Sequence, residues 1–519
     1  MLLGAEAFIP DVSALFSHFG AEVVLALGIP LLLVADLFTR RNKESVTGAL
    51  SLVLLTVALV LGLWQDSSSS VGLTSLLRAD GLAKGFRVIA LASGVITAVA
   101  ALRGGDAVRH RTEFFVLLMG AVLGACLTAA ANEMAMLYLA IETLSIAGYL
   151  LAGFKRRDPQ GSEAALKYII FGAISSGMML YGLTLLYGFG GTSLLTTPPG
   201  APEGTVSLQS YLQENASALA MKPAFIAAVV LVFAGLAYKI AAAPFHFWCP
   251  DVYQGAPTSV AGFLAVAGKG AGLAAFIRIV QAVTGGAGDH ITDLLARHND
   301  VIRTVLIGMS IATMTIGNVA ALRQRNAKRI LAYSAIAHAG YILMGLTVTS
   351  RAGATAMLFY MGVYVFMTFG AFFMVALVER EKGSCDLSAF EGLGFRAPFF
   401  AVSFAIVLIS LTGLPPTGGF WAKVFLFEGV FSYGGAHSSS LYLWFGVIGL
   451  LNGVISLVYY ARFLKAMYLA DPEHNTGSGL ELGLADKSMV FAMTLPQLVL
   501  GVMFAGLYET AQLLVVDLF

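Results

Sequence analysis

The chain has 519 residues, 58% apolar and 12% charged, with a mean hydropathy of +0.82; soluble domains carry about 25% charged residues, so an ordinary soluble enzyme is excluded. Lys and Arg total 31 against 30 Asp and Glu, which offers no basic field to a nucleic acid and no acidic tail to a basic partner. Cys126, Cys249 and Cys385 form no CxxC pair and the eight histidines are scattered, so iron–sulfur, zinc and disulfide frameworks lack support.

No basic region followed by a short apolar core and a cleavage site opens the chain, so Met1 is read as the start of the mature protein. A hydrocarbon core of about 30 Å takes roughly 20 helical residues. Stretches of that kind recur near 21–38, 47–64, 87–102, 113–131, 134–154, 164–190, 224–248, 256–283, 301–321, 327–348, 353–379, 398–432, 440–468 and 488–515, about fourteen spans by that length. Strict alternation is absent, so the spans are helices and not barrel strands. The longest connections, 65–86 with its serine run, 191–222, 284–300 and 470–487, are too small to fold alone, which leaves one integral domain over 1–519. The chain stops just after the last span, without a long amphipathic helix.

Basic residues cluster in the loops after odd-numbered spans: Arg40, Arg41, Lys43; Arg103, Arg109, Arg111; Lys155, Arg156, Arg157; Arg323, Arg325, Lys328, Arg329; Arg380, Lys382, Arg396; Arg462, Lys465, Lys487. By the positive-inside rule these loops face the cytoplasm and both termini face the opposite side. The other loops and their flanks hold Arg78, Lys84, Arg87, Lys222, Arg278, Arg297, Arg303 and Arg351, and Lys167 lies one turn inside the sixth span, which leaves three lysines inside the membrane: Lys239, Lys269 and Lys423.

Glu142 lies nine residues after Glu133, about 14 Å into its helix and so near mid-depth. Such a carboxylate is either a neutral acid packing against a neighbouring helix or a proton carrier. Five residues after Lys239, Pro244 withholds its N–H from the carbonyl of Ile240, so the helix should break beside the lysine, as at an ion path. A Glu142–Lys239 pair would act as a proton switch set by their separation; a static ion pair is the competing reading. Lys269 sits among Gly268, Gly270 and Gly272; the Walker A spacing fails, and the glycines read as close helix packing. Pro415 and Pro416 precede Lys423 in a second interrupted segment, five spans after the first, as an inverted repeat would produce. Glu428 reads as the end of that span. His338, near mid-depth, suits proton relay or a bond to a facing carbonyl. His246, Asp251, Tyr253 and Gln254 read as turn and capping residues at the interface.

The segments KIAAAPFHFWCPDVYQGAPTSVAGFLAVAGKGAGLAAFIR at 239–278, NVAALRQRNAKRILAYSAIAHAGYILMGL at 318–346, VYVFMTFGAF at 363–372 and LTGLPPTGGFWAKVFLF at 411–427 resemble the proton-translocating, antiporter-like subunits of respiratory complex I. Within that family, VISLVYYARFLKAMY at 454–468 and a lysine, not a glutamate, at 423 match one branch. The resemblance implies an all-α polytopic bundle of fourteen helices with two inverted five-helix repeats, spans 4–8 and 9–13. These fall in 113–283 and 301–468, with 1–102 and 488–519 as flanking helices. It implies proton transfer through Glu142, Lys239, Lys269 and Lys423, with His338 on the tenth helix among the site residues. It further implies no cofactor on this chain, with NADH, FMN, iron–sulfur clusters and quinone on other subunits; other membrane subunits and the bilayer as partners; and a bacterial cytoplasmic membrane location. Multisubunit cation/proton antiporters and related membrane arms fed by ferredoxin or other donors share these motifs and stay open as alternatives.

Overall fold

The structure is a computed structural model. It describes residues 12–516 and 518, apart from 39–42, 66, 68–75, 105–110, 156–157, 199–200, 202–203, 216–221, 285–292 and 471–479. Arg40, Arg41, Arg109, Arg156, Arg157 and most of the serine run therefore lie outside the described residues. The helices are α1 (Val12–Phe38), α2 (Lys43–Trp64), α3 (Gly81–Gly104), α4 (Arg111–Ala130), α5 (Met134–Ala152), α6 (Pro159–Gly190) and the short α7 (Leu208–Glu214). There follow α8 (Pro223–Ile240), α9 (Trp248–Gly255), α10 (Thr258–Val283), α11 (Asp293–Ala321), α12 (Ala327–Thr347) and α13 (Arg351–Lys382). The last five are α14 (Pro398–Thr412), α15 (Gly418–Ala436), α16 (Ser440–Leu469), α17 (Leu484–Val502) and α18 (Ala505–Leu514). Among the described residues β-structure is confined to isolated bridges.

Among the described residues, twelve helices are long and apolar enough to cross a membrane, and α17 with α18 makes a thirteenth if a bent pair counts as one span. The pair α14 and α15, interrupted at 413–417, occupies the remaining place in the expected series of fourteen. Prolines and small polar residues set the starts: Asp158 caps α6 ahead of Pro159, Asn326 caps α12 and Ser350 caps α13. The most apolar window of α10 is 100% buried, against 33% for α6 and α16, so α10, α12 and α13 form the centre and α6 and α16 the flanks.

One expectation fails at the C-terminal end. The span read as 488–515 stops at Val502 and turns by 88° into α18. Phe504 stacks on Trp421 at 3.9 Å and Tyr508 lies 4.1 Å from Phe425, so aromatic packing on α15 draws the chain sideways. A Cβ on Gly81 would meet the carbonyl oxygen of Leu514 at 2.1 Å; α18 thus reaches from α15 to the start of α3.

The two groups of five spans repeat their neighbour relations. α4 packs on α5 as α11 packs on α12, and α10 touches α4 and α8 as α16 touches α11 and α15. Before α5, Glu133 bridges to Leu194 and caps the helix through Met136 N; before α12, Asn326 bridges to Asp386 and caps through Arg329 N. Five spans separate these two turns, so they fall on opposite membrane faces. Counted from the caps, Glu142 corresponds to Ala335 and Ser145 to His338.

Candidate functional site

Both broken helices end alike. Ala241 and Gly413 adopt positive φ of 58° and 85°, and the following amides, of Ala242 and Leu414, reach back to the carbonyls of Ala237 and Ile409, a Schellman closure. α8 stops at Ile240, the residue whose carbonyl the ring of Pro244 would meet. Glycine suits the left-handed position at 413; alanine at 241 costs about 1 kcal/mol or more there. The first break is held by the Trp248 indole N–H donating to the Tyr238 carbonyl at 3.1 Å, and by the Ala243 amide donating to Thr313 Oγ1 at 2.9 Å.

Lys239 sits in the last turn of α8, 3% exposed. Its ammonium donates to Ser145 Oγ at 3.0 Å. Ser145 is one turn beyond Glu142 on α5, and the Glu142 carboxylate accepts a hydrogen bond from Ser176 of α6, whose oxygen is 3.2 Å from the Tyr138 hydroxyl. The two charges are therefore not in contact, and the static ion pair is not what the structure contains. Glu142 is only partly buried, on a face it shares with Leu139, Ile146 and Ile174, each more than half exposed.

Lys269, 1% exposed, follows a π-helical turn at Leu264–Gly268, a feature that gathers at functional sites. Its ammonium donates to the carbonyl of Ala335 on α12, which ties the first group of five spans to the second. A Cβ on Gly272 would come within 2.6 Å of Ile240 Cγ2 and 3.4 Å of Lys239 Cβ, so this glycine has the packing role expected of it. Gly268 has no neighbour within 4 Å of its missing Cβ, and close packing does not explain it.

Lys423 reaches back across the second break to donate to the Thr412 carbonyl at 2.6 Å, with its ammonium 4.7 Å from the centroid of the Tyr341 ring. Lys239 and Lys423, which lie on opposite sides of their prolines in sequence, thus both end at the C-terminus of an interrupted helix, where free carbonyls and the helix dipole favour a cation. A cavity of about 230 Å³ opens beside Lys423, lined by Gly413, Phe420, Phe427, Leu450 and Val454 among others. Glu428 does not pair with Lys423; it is exposed and lines a separate crevice of about 720 Å³ with Asp300, Arg303 and His437. His338 is buried on α12, its ring 6.0 Å from that of Tyr341, within electrostatic range of both Lys269 and Lys423.

The four residues read as interface turns need correction. Tyr253 is fully buried against Trp248 and Phe372, and His246 is 5% exposed with Nδ1 unpartnered. Asp251 binds Lys167 Nζ and Arg329 Nη1, each at 2.6 Å, and Arg329 also donates to Gln254. One carboxylate on α9 therefore joins α6 to α12. Burial alone would raise the Asp251 pKa, but hydrogen bonds from Lys167 and Arg329 more than offset it and hold the carboxyl below its ordinary range. A lowered carboxylate adds stability that is complete above its unfolded pKa and is lost as pH falls through the folded value. Asp251→Asn is expected to lower the thermal midpoint at neutral pH, with the gap to the parent closing as the pH drops below about 4; melting curves at stepped pH check it, and a gap that persists in acid would refute the account.

A helical bundle with two interrupted spans and buried lysines at their ends is a polytopic membrane protein of the transporter type. The sequence pattern of the NADH:quinone oxidoreductase/Mrp antiporter transmembrane family matches residues 131–449, and the chain belongs to that family. It is 39% identical over 507 residues to NADH-quinone oxidoreductase subunit N of Anaeromyxobacter sp., covering 96% of each chain. It is 35% identical over 500 residues to NAD(P)H-quinone oxidoreductase subunit 2 of Gloeobacter violaceus, covering 94% of this chain and 90% of that one. A chain of respiratory complex I from Thermus thermophilus superposes with a TM-score of 0.75 at 30% identity, covering 94% and 98%. A chain of the Mrp complex from Dietzia sp. reaches 0.79 at 20% identity, covering 98% of each, a likeness of fold alone.

Proposed function

We propose that this chain is subunit N of a bacterial NADH:quinone oxidoreductase, a membrane-arm subunit that moves protons while the redox chemistry takes place on neighbouring subunits. NADH, FMN, iron–sulfur clusters and quinone would all be held there. Near-full-length identity to proteins bearing that name supports the assignment. The observation that carries the mechanism is that acid and amine sit near each other but on separate serines, the Glu142 carboxylate on Ser176 and the Lys239 ammonium on Ser145, one helical turn beyond Glu142 on α5.

In this mechanism, drawing Glu142 toward Lys239 favours the ammonium, and withdrawing it favours release of the proton, because a buried ammonium depends on nearby negative charge. A hundredfold change in the lysine's proton affinity is worth about 2.7 kcal/mol, enough to carry one charge through 100 mV, which costs about 2.3 kcal/mol. The proton then passes to Lys269, across the contact with α12 to His338, and on to Lys423 beside its cavity. Residues 113–283 and 301–468 form the two half-channels, inverted with respect to each other. Both termini would face the periplasm, a reading that the distribution of basic loops supports.

Gentle purification through a tag on this chain, followed by assay for NADH-driven quinone reduction sensitive to quinone-site inhibitors, tests the assignment. Activity that travels with the tag is the expected result. An eluate without redox subunits that exchanges sodium for protons after reconstitution would make the chain an antiporter subunit instead.

A further inference from the structure

His338 has a phenol at each ring nitrogen: Nδ1 lies 2.6 Å from the Tyr360 hydroxyl and Nε2 3.4 Å from the Tyr460 hydroxyl. The Tyr460 hydroxyl is also bonded to the Ser334 hydroxyl. Three helices supply these groups, α12 (Ser334 and His338), α13 (Tyr360) and α16 (Tyr460), and all four side chains are buried, none more than 2% exposed.

A neutral imidazole has one N–H and one bare nitrogen, so it donates to one phenol and accepts from the other; serine and tyrosine hydroxyls each do both. The four groups therefore point in one direction at a time, and passage of a single proton reverses every bond. Ser334 lies about 6 Å nearer than His338 to the Ala327 end of α12, the end that carries Lys328 and Arg329. Tyr360 comes from α13, which starts at the opposite membrane face and places it about 14 Å deep. The line thus steps about 6 Å toward the Lys328–Arg329 side between His338 and Ser334, while Tyr360 lies at about the same mid-depth as His338.

We infer that Ser334, Tyr460, His338 and Tyr360 form a proton relay that meets the row of lysines at His338 and connects it to the Lys328–Arg329 side of the membrane. This inference rests on the proposed role in proton transfer and adds a branch to it. A proton delivered by water bonds to the Ser334 oxygen as the serine O–H proton passes to Tyr460. The Tyr460 proton bonds to Nε2, the Nδ1 proton leaves for Tyr360, and Tyr360 releases its own proton to the next water. Each group keeps the number of protons it began with, and the imidazole has exchanged one tautomer for the other; rotation of the hydroxyls and the ring resets the line.

The test is Tyr460→Phe and Tyr360→Phe, each in the assembled complex in liposomes, with Lys239→Ala beside them. Phenylalanine keeps the ring packing and removes only the relaying oxygen. Proton uptake per NADH oxidised should fall with each tyrosine variant, and its initial rate roughly tenfold or more, with an altered solvent deuterium isotope effect. Ser334→Ala, a smaller change, gives the same readout if a tyrosine variant does not assemble. An assembled tyrosine variant that pumps as the parent does overturns the relay. If Lys239→Ala has meanwhile lost pumping, only the relay fails; if that variant also pumps normally, the proposed function fails with it.

Discussion

Lys239→Ala is expected to reduce NADH-driven proton uptake by about a hundredfold along the route through this chain, the size of loss that follows removal of a positioned acid–base group. The amine links the first broken helix to α5 by donating to Ser145. Alanine leaves Ser145 without its donor and Glu142 without a cation to stabilise. The truncation also opens space against Gly272, whose missing Cβ already sits 3.3 Å from Lys239 Cγ, so some loss of stability accompanies the functional loss. Lys239→Arg separates the two effects: it restores charge and volume but stays protonated, so it should assemble and still fail to pump. Normal stoichiometry in an assembled Lys239→Ala complex would remove this lysine from the route.

The largest effect on stability is expected at Arg278, far from the breaks. Its guanidinium grips Asp80 with both forks, at 2.8 and 3.0 Å, and donates Nε–H to the Ala129 carbonyl at 2.8 Å; Arg278 is 1% exposed and Asp80 2%. Asp80 also caps α3 through the Ala83 amide at 2.9 Å and pairs with Arg78 at 3.1 Å. One carboxylate thus joins the start of α3, the end of α4 and the end of α10. Burial would raise its pKa, and Arg278, with Arg78 and the Ala83 amide, more than reverses this. Arg278→Ala leaves a buried carboxylate short of its main partner, a loss of about 3–5 kcal/mol. Thermal unfolding of the purified complex measures it. Arg278→Lys should recover only part, because an ammonium lacks the planar fork. The double change Asp80→Asn with Arg278→Met should recover more, since no charge is then stranded. An unshifted midpoint for Arg278→Ala would refute this reading.

Much of the architecture was legible in the chain because its physics is local. Runs of apolar residues give the spans, and Pro244 and Pro415–Pro416 give the two breaks within a turn of where they fall. The buried lysines were legible by subtraction, since an ammonium without a loop to sit in has nowhere else to go. Their partners were not. Ser145, Tyr341, Tyr360 and Tyr460 are neutral side chains in apolar helices, and no periodicity marks them; only spacing along α5, which sets Ser145 one turn after Glu142, held a hint. Asp80 and Arg278 are 198 residues apart, and a bidentate grip over that distance leaves no trace in either segment. Asp251 misled because a carboxylate just after a proline is an ordinary cap, whereas here two distant cations claim it. The turn after Val502 escaped because its cause, Phe504 on Trp421, is tertiary.

The half-buried Glu142 bears on how such a protein is made. A newly inserted copy, alone in the bilayer, would hold that carboxyl against acyl chains or keep it neutral, at a penalty of a few kcal/mol. A neighbour that covers the α5–α6 face with polar groups removes the penalty, so the lipid itself disfavours the orphan and favours the joined state. The same group that would help to steer protons in the finished machine would then act during biogenesis as a quality signal, marking solitary copies as unfinished until their neighbour arrives.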